Sequence, residues 1–533
     1  MSLDRWFLTV DERANPHTVL DRRHPGQAWT VGNEVRALVH GASYFAELLR
    51  CVRELRAGDT LMFTDWRGDP DELLDGPGTE ISRVLCEAAQ RNVMVKGLIW
   101  RSHLDRFSFS EEQNRHLGED INDAGGECVR DMRVRTGGSH HQKFVVLRYR
   151  DRPELDVAFA GGIDLCHSRN DDATHAGDRQ RQPMAAVYGD RPPWHDAQLM
   201  IRGPAVGDLE ASFRERWCDP AAVTRNPLNR LMDAVRRGDD DEPDRLPEQP
   251  PDPDSCGEQA VQVLRTYPYR RLGYPFAPDG ERSVARAYRK VLANAKSLVY
   301  VEDQYFWGDD VAQCFADALA AEPELHLIVV IPRFPDQDGR FSLPPNLVGR
   351  ERALRAVTAA GGDRVAVYGV ENHAGTPVYV HAKVCVVDDV WASVGSDNVN
   401  RRSWTHDSEL SCAVLDEARD ERSPQVLDRF GDGARRFARE LRLTLAREHL
   451  DRADGDDADL LDPRSAFAAF AESGRRLDAW HDGGRRGERP PGRLRPYRLD
   501  PLPWHTRAWS EVLYRTVYDP DGRPRQMRRR NEY

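Results

Sequence analysis

The sequence predicts an α/β protein in which two homologous repeats pack together as an intramolecular pseudo-dimer. Three observations support this fold class. The same order of helical and strand-like segments occurs on both sides of one acidic, proline-rich stretch. Each half carries one H-x-K strand, "HHQKFVVL" in the first half and "HAKVCVVDD" in the second. The interval from an earlier strand end is also equal, because Trp66 precedes His141, and Phe306 precedes His381, by 75 residues.

The first repeat is predicted over residues 27–238. Its apolar periodicity alternates between that of an amphipathic helix and that of a buried strand. The main segments are, in order, the helix "SYFAELLRCVREL", the strand "TLMFTDW", the helix "EISRVLCEAAQRN" and the strands "VMVKGLIW", "CVRDMRV", "HHQKFVVL" and "DVAFAGG". Strands that alternate with helices indicate a mixed or parallel sheet covered on both faces.

Three further segments complete the predicted organisation. Residues 239–257 contain "DDDEPDRLPEQPPDPD", which has too little apolar surface to order itself, so we predict a linker or a long surface loop. The second repeat, residues 258–450, has the helices "SVARAYRKVLANA", "DVAQCFADALAA" and "RERALRAVTAA" between the strands "LVYVEDQYF", "LHLIVVIP" and "RVAVYGV". Residues 451–533 form an acidic-then-basic extension, which either wraps the acidic body or contacts an anionic membrane surface.

The composition limits the function classes. A net charge of −12 over 533 residues argues against binding nucleic acid through the whole surface. Nine cysteines without a C-x-x-C pair indicate reduced thiols rather than disulfides or a zinc site. No apolar run reaches the roughly 18 residues of a membrane span, and the N-terminus lacks a signal-peptide pattern. We therefore expect a cytoplasmic monomer without cofactor or metal, which could meet a phospholipid membrane surface only peripherally.

Each H-x-K strand places an imidazole and an ammonium on one face. Because side chains alternate along a strand, His141 emerges beside Lys143, and His381 beside Lys383. A histidine can attack phosphorus or protonate a leaving alcohol near neutral pH, and a lysine can neutralise phosphate oxygens. His140 faces the opposite side of its strand, so we expect it to be packed rather than chemical.

The paired motifs resemble those of the phospholipase D superfamily. The second motif has the full frame H-x-K-x-x-x-x-D, which ends at Asp388. The flanking text, "GGIDL", "PWHDAQLMIRGPAV", "YVEDQYFW" and "DSEL", is more similar to the plant and animal branch than to the small nucleases. The resemblance implies a phospholipase D-like fold and cleavage of a phosphodiester through a phosphohistidine, without a cofactor.

The resemblance also implies a role for each candidate. His141 is expected to be the nucleophile and His381 the general acid and base, although the near-symmetry of the repeats leaves the reverse assignment open. Lys143 and Lys383 would bind the non-bridging oxygens, and Asp388 completes the catalytic motif. As partners of the imidazoles we predict Glu409 for His381 and Asp171 for His141, which follow these histidines by 28 and 30 residues. The predicted substrate-binding residues are Asp164, Ser396 and Asn398.

The first motif departs from the frame. It has Arg148 where the second has Asp388, and its hairpin is six residues longer. Either the aspartate only supports the turn, or the activity is reduced; Asp151 or Asp156 could substitute for it.

Other polar residues have a structural and a chemical interpretation. Asp65, Trp66 and residues 302–304 follow equivalent buried strands, where they either cap the strand or contact substrate. In "PWHD", we predict structural hydrogen bonds for His195 and Asp196.

The sequence thus predicts a phospholipase D that hydrolyses the distal phosphodiester of a phosphatidylcholine-like glycerophospholipid to phosphatidic acid and a free alcohol. Transfer to another alcohol should compete with water, because both attack the same phosphohistidine. A phosphatidyltransferase of the cardiolipin synthase type and a non-catalytic phospholipid-binding scaffold remain as alternatives.

Overall fold

The computed structural model describes residues 2–102, 111–224, 243–340, 342–498 and 502–533. The strands in these ranges are β1 Thr30–Val39, β2 Thr60–Asp65, β3 Met94–Trp100, β4 Glu127–Asp131, β5 Phe144–Arg148, β6 Val157–Gly161, β7 Trp194–His195, β8 Ala197–Arg202, β9 Gln259–Tyr267, β10 Glu281–Arg282, β11 Leu298–Glu302, β12 His326–Val330, β13 Val365–Glu371, β14 Pro377–Val380, β15 Val384–Val387, β16 Trp391–Gly395, β17 Glu409–Asp416 and β18 Leu494–Pro496.

The helices in the same ranges are α1 Val10–Arg13, α2 Leu20–Arg23, α3 Gly41–Glu54, α4 Ile81–Gln90, α5 Glu111–Asp123, α6 Ala205–Trp217, α7 Ser283–Asn294, α8 Asp309–Ala321, α9 Leu343–Gly361, α10 Arg401–Thr405, α11 Arg436–His449, α12 Pro463–Asp482, α13 Trp504–Leu513 and α14 Arg525–Arg530. Parts of all four predicted segments lie outside the described residues: residues 103–110 and 225–238 of the first repeat, 239–242 of the linker, 341 of the second repeat, and 499–501 of the extension.

The strands form two seven-stranded arrays with the same order. In the first, β4, β3 and β2 are parallel, and β5, β6, β8 and β1 continue the sheet as antiparallel neighbours. In the second, β13, β12 and β11 are parallel, and β15, β16, β17 and β9 follow in the same way. The edge strands β1 and β9 pair with each other. The predicted α/β pseudo-dimer of two repeats is therefore confirmed.

The inner faces of the two sheets share one core. Val146 of β5 and Ala158 of β6 belong to the same buried apolar cluster as Val386 of β15 and Ala392 of β16, together with Leu209 of α6. Helices α3 and α4 cover the outer face of the first sheet, and α7, α8 and α9 cover that of the second. Because each central strand is covered on both sides, it reads as a continuous apolar run. This packing brings the two H-x-K strands to the repeat interface.

The described part of the predicted linker lies along the first repeat. Residues 243–257 contain no helix or strand. Their backbone carbonyls accept hydrogen bonds instead: that of Asp244 from the Trp217 indole at 2.8 Å, and that of Pro247 from Arg214 at 2.5 Å. Side chains of α6 therefore hold this polar segment against the surface by its backbone.

The described part of the C-terminal extension packs on the body, as one of the two predicted alternatives requires. Strand β18 pairs with β13. Arg495 lies 2.8 Å from both Glu371 and Asp478, and Arg523 forms an ion pair with Asp310. None of the described helices is long and apolar enough to cross a membrane.

Candidate active site

The two H-x-K segments meet where the repeats exchange backbone hydrogen bonds. The amide of His141 donates to the carbonyl of Ser408 at 2.9 Å, and the amide of His381 donates to the carbonyl of His195 at 2.8 Å. Each histidine is thus anchored by its own strand on one side and by the opposite repeat on the other.

A carboxylate from the opposite repeat contacts each imidazole. Nδ1 of His141 lies 2.9 Å from Oε2 of Glu409, and Nδ1 of His381 lies 2.7 Å from Oδ2 of Asp196. Glu409 begins β17 and Asp196 immediately precedes β8, which are equivalent strands of the two sheets. The pairing therefore crosses between the repeats in both directions, and among the described residues neither Nε2 has a hydrogen-bond partner.

This crossing corrects both predicted pairings. The prediction of Glu409 as the partner of His381 is wrong, because its carboxylate contacts His141. Asp171 does not contact His141 either: its carboxylate accepts the backbone N–H of Trp194 at 2.8 Å and that of Gly177 at 3.1 Å. It orders the loop that leads to the carboxylate beside His381.

The reason for the error is an insertion in the first repeat. Asp196 follows Gly161 at the end of β6 by 35 residues, whereas Glu409 follows Gly395 at the end of β16 by 14. A similar number of residues counted from His141 as from His381 to Glu409 therefore ends at Asp171, inside the insertion. Asp196, which we predict to make structural hydrogen bonds only, is the equivalent of Glu409. Aligning "WHDAQL" with "DSELSC" on their strands would have shown it.

The two lysines lie beside the histidines and are buried. Nζ of Lys143 is 3.4 Å from Asp164 and 3.0 Å from the carbonyl of His141. Nζ of Lys383 is 3.4 Å from the side-chain oxygen of Gln304 and also donates to the carbonyl of His381. Of the predicted substrate-binding residues, Asp164 thus contacts a catalytic candidate.

The other two predicted substrate-binding residues differ in their surroundings. The hydroxyl of Ser396 donates to Glu409 at 2.6 Å and accepts the amide of Leu410 at 3.0 Å, so it supports the carboxylate behind His141. Asn398 is buried, and its Oδ1 has no hydrogen-bond partner among the described residues. No contact of the Asn398 side chain in the described residues thus assigns it to substrate binding, which stays a prediction.

Burial and the lysine charges set the protonation of the histidines. Burial lowers the pKa of His141 well below its usual value, and Lys143 and Lys383 lower this pKa further. Burial likewise lowers the pKa of His381, followed by the charges of Lys383, Arg169 and Lys143. Each lysine therefore acts on the histidine of the other motif, and both imidazoles are neutral at neutral pH in the free protein.

Burial also shifts the pKa values of the remaining charged groups. It raises the pKa of Glu409, and the neighbouring Asp407 raises this pKa further. Burial lowers the pKa of Lys383 to about 8; the charge of Asp196 raises this pKa, and that of Lys143 lowers it further. Lys383 is thus a cation below about pH 8 and loses its charge above it.

We expect kcat/KM for a phosphodiester substrate to fall above about pH 8, because the ammonium of Lys383 that neutralises the phosphate is then lost. In Lys383→Arg the guanidinium stays charged, so the alkaline limb should move to higher pH even if the rate is lower. In calorimetry, the affinity for inorganic phosphate should likewise decrease at a higher pH in Lys383→Arg than in wild type. An alkaline limb at the same pH in both proteins would contradict this assignment.

Aromatic side chains form the walls beside the imidazoles. The ring of Trp66 lies edge-on to His141 with centroids 6.1 Å apart, and its other side stacks on Trp100. The rings of Trp194 and Tyr379 lie 5.1 and 6.4 Å from that of His381. The place of Trp66 at a strand end indicated a possible contact with substrate. Nothing in the sequence distinguished Trp194 and Tyr379 from other aromatic residues of buried strands.

Asp388 is not part of this cleft, which corrects its predicted catalytic role. It follows β15 at the end opposite His381, and its carboxylate accepts the backbone N–H groups of Lys296, Ser297 and Leu298 at 2.8 to 2.9 Å. Three such bonds tie the turn to the loop before β11. The aspartate of this frame therefore supports a turn, as one of the two alternatives for Arg148 requires.

Arg148 takes the equivalent position in the first repeat without an aspartate. Its Nε lies 3.2 Å from Asp156 and 3.4 Å from Glu210. Two other aspartates tie the turn: Asp156, one of the two predicted substitutes, accepts the amide of Tyr149 at 2.6 Å, and Asp59, in the loop before β2, accepts that of Arg150 at 2.9 Å. Asp59 lies on the other side of the same junction, and Arg148 does not reach the histidines.

The remaining candidates have structural contacts. His140 is buried on the far side of its segment, 3.1 Å from Gln142, as we predict. Asp303 accepts three backbone N–H groups, those of Tyr305, Phe306 and Val399, and so caps its strand. Asp65 accepts the amide of Leu165 at 2.8 Å.

Two family models match the chain. The model described as "Phospholipase D" matches residues 74–329, and the model described as "Cardiolipin synthase, PLD-like domain" matches residues 288–430. Phospholipase D alpha 1 of Cynara cardunculus is 25% identical over 460 residues, which cover 64% of this chain and 56% of the relative. Phospholipase D alpha 1 of Arabidopsis thaliana is 26% identical over 454 residues, covering 63% and 55%. The chain spans about half the length of these curated relatives.

Two solved structures also match the chain. The phosphatidylserine synthase of Haemophilus influenzae Rd KW20 matches with a TM-score of 0.47 and 16% identity, over 72% of this chain and 82% of that one. The polyphosphate kinase of Porphyromonas gingivalis matches with a TM-score of 0.37 and 13% identity, over 72% of this chain and 48% of that one.

Proposed function

Because this chain belongs to the phospholipase D superfamily, we propose that it hydrolyses the distal phosphodiester of a glycerophospholipid such as phosphatidylcholine to phosphatidic acid and a free alcohol. One observation carries the proposal. Two histidines, the partly buried His141 and the buried His381, each have Nδ1 against a carboxylate and, among the described residues, no hydrogen-bond partner at Nε2; two buried lysines lie beside them.

In the first step, Nε2 of His141 would attack phosphorus. The bond from phosphorus to the leaving oxygen breaks, and Nε2 of His381 gives its proton to that oxygen. The assignment follows the family resemblance and agrees with exposure, since the side chain of His141 is 15% exposed and that of His381 is 6% exposed. Lys143 and Lys383 would neutralise the non-bridging oxygens.

Binding of the substrate would favour the protonated form of His381, which the first step requires. Its pKa is low in the free protein. A phosphodiester anion between the lysines offsets their charge, which raises the pKa of the nearby imidazole. In the second step, neutral His381 takes a proton from water, water oxygen attacks phosphorus, and the bond to His141 breaks.

The carboxylates would hold the imidazoles in the reactive tautomer. When Glu409 is ionised, Nδ1–H of His141 donates to it, and the lone pair of Nε2 remains for attack. Asp196 orients His381 in the same way. Ser396 fixes the carboxylate of Glu409 through its hydroxyl.

The first test is turnover of phosphatidylcholine vesicles by the protein as purified, with release of choline and phosphatidic acid as the readout. We expect both products, and phosphatidylethanol when ethanol is added, because either acceptor can attack the phosphohistidine. Release of choline without either lipid product would contradict this chemistry.

A phosphatidyltransferase is the second candidate, because the model of a cardiolipin synthase domain matches residues 288–430. It would use a lipid alcohol as the acceptor and release little phosphatidic acid. Adding phosphatidylglycerol to the same vesicles separates the two: cardiolipin as the main product favours the transferase. A non-catalytic scaffold would give no product and no phosphohistidine.

We propose a peripheral contact with the membrane through the C-terminal extension. Trp504 is 80% exposed and Val512 is 62% exposed, both on α13. Tyr514, the residue after α13, packs on Trp307, which lies three residues after Gln304. Helix α13 is therefore held at the end of β11 that carries the site. We expect Trp504→Ala to weaken co-sedimentation with vesicles by roughly tenfold.

The control for this contact is Leu272→Ala, which removes another highly exposed apolar side chain. Equal binding by wild type and Trp504→Ala would remove α13 from the membrane contact.

A further inference from the structure

Four side chains converge behind His381, in a cluster that the proposed chemistry does not use. These are His40, His175, His195 and Glu448, and one donor atom of each lies within 4.8 Å of all the others. Nε2 of His40 is 2.7 Å from Oε2 of Glu448. Nε2 of His175 and Nδ1 of His195 are 3.0 and 3.3 Å from its Oε1.

The four residues come from distant parts of the chain. His40 follows β1, His175 lies in the insertion before β7, His195 is in β7, and Glu448 is in the last turn of α11. The histidines are at most 5% exposed as side chains, and the carboxylate is 10% exposed. The cluster therefore joins both repeats in a nearly closed site.

Outer hydrogen bonds fix two of the imidazoles. Nδ1 of His175 lies 3.0 Å from the carbonyl oxygen of Trp194, which can only accept, so Nδ1 carries the proton and Nε2 a lone pair. Nε2 of His195 lies 2.6 Å from the carboxylate of Glu302, so its lone pair is on Nδ1. Histidines that bind metals are oriented in this way by a carbonyl or carboxylate on the far nitrogen.

As a result, acceptors face acceptors in the cluster. The lone pairs of His175 and His195 both point to Oε1 of Glu448, which is itself an acceptor. The other oxygen of this carboxylate, Oε2, lies 2.7 Å from Nε2 of His40.

Two of the histidines also have unusual backbone conformations. His40 has a φ of 68° and His175 a φ of 52°, in the left-handed region that residues other than glycine rarely adopt. Such strain persists only where the surroundings hold it, and it often marks a functional site. Both side chains are thereby directed at the same carboxylate.

We propose that His40, His175, His195 and Glu448 bind one divalent transition-metal ion, with Zn²⁺ as the best fit. Three imidazole nitrogens and one carboxylate oxygen are a donor set of tetrahedral zinc. Metal–ligand bonds of about 2.0 to 2.1 Å place tetrahedral donors about 3.3 Å apart, and the imidazole nitrogens lie 2.7 to 3.3 Å from the Glu448 carboxylate. A cation at the centre would accept the lone pairs of His175 and His195 that point to the Glu448 carboxylate.

This ion would be a positioning metal for the proposed reaction rather than a participant in it. The carbonyl of His195 accepts the amides of His381 at 2.8 Å and of Ala382 at 3.2 Å. The next residue, Asp196, contacts Nδ1 of the same histidine. Fixing His195 therefore fixes both the backbone and the side-chain partner of His381.

The test is the metal content of the full chain, purified without chelator and with any histidine tag removed. We expect about one zinc ion per chain by plasma mass spectrometry. Replacement by Co²⁺ should give the intense visible absorption of a tetrahedral site. Removal of the metal by a chelator should lower the melting temperature by at least about 5 °C, and Zn²⁺ should restore it.

Three variants make the assignment specific. His175→Ala should lose the metal, whereas His175→Cys should keep it and add a thiolate band to the cobalt spectrum. His373→Ala is the matched control, because that histidine is 58% exposed and pairs with Asp451, outside the cluster. If His175→Ala does not fold, the wild-type content decides: a chain that binds neither Zn²⁺ nor Co²⁺ and melts unchanged after chelation overturns the proposal.

Discussion

Replacement of His141 by alanine is expected to abolish turnover and to prevent any covalent phosphoryl-protein from forming. His141 would supply the attacking Nε2, and no other described imidazole near the lysines has its Nδ1 held by Glu409. Loss of a catalytic residue of this kind lowers the rate by about 10⁴-fold or more. The measurement is steady-state hydrolysis together with mass spectrometry of the quenched protein.

His381→Ala should behave differently with one class of substrate. A phosphodiester with a nitrophenol leaving group does not need a general acid, so the first step can still occur. The second step then lacks its base, because His381 is the group that deprotonates water. We expect the phosphoryl group to accumulate on His141, as an acid-labile adduct, while turnover stays low.

The control for both variants is His373→Ala, which changes an exposed histidine away from the site. An adduct on His381 in the His141→Ala protein would reverse the assignment of nucleophile and acid. An adduct on neither histidine in any variant, with turnover intact in wild type, would contradict a phosphohistidine mechanism.

The sequence was sufficient for the fold and for the central four residues. Helical and strand periodicity is a local property, and so is the alternation that puts His141 beside Lys143 and His381 beside Lys383. The duplication was visible because equal intervals separate equivalent strands. These features depend on neighbours in the chain, which is why they could be predicted.

The contacts between the repeats could not be predicted in the same way. Which carboxylate meets which imidazole depends on how the two sheets face each other, and the insertion before Asp196 moved the true partner away from the expected spacing. The role of Asp388 depends on the loop that packs on its turn.

The metal-ligand cluster was hidden for the same reason. Its members stand at positions 40, 175, 195 and 448, without the short spacing that marks a zinc motif in a sequence. The prediction of a protein without metal rested on the absence of such spacing, whereas tertiary packing is what brings these donors together.

The crossed carboxylates lead to the second large effect. Glu409→Gln should slow the attack by His141, because an amide cannot accept the Nδ1 proton as strongly or stabilise the positive charge that develops on the ring. Asp196→Asn should slow proton transfer by His381. Both losses are expected to be roughly 10²- to 10⁴-fold, the range of general acid–base effects.

The leaving group tells the two apart. Loss of the general acid should slow the release of choline strongly, because choline would otherwise leave as a strongly basic alkoxide. It should slow the release of nitrophenol little, because nitrophenolate is a weak base. Asp196→Asn should therefore recover most of its phosphorylation rate with the nitrophenol substrate, as His381→Ala does. Glu409→Gln should be slow with both substrates, as His141→Ala is, although the deficit should be smaller.

Asp171→Asn is the matched control, since it also removes a buried carboxylate but one that accepts backbone N–H groups. We expect it to lower stability without any dependence of the rate on the leaving group. If Glu409→Gln were rescued by nitrophenol and Asp196→Asn were not, each carboxylate would serve the histidine of its own repeat. The expected pattern instead requires both repeats for each half of the reaction, which explains why one copy of the motif cannot work alone.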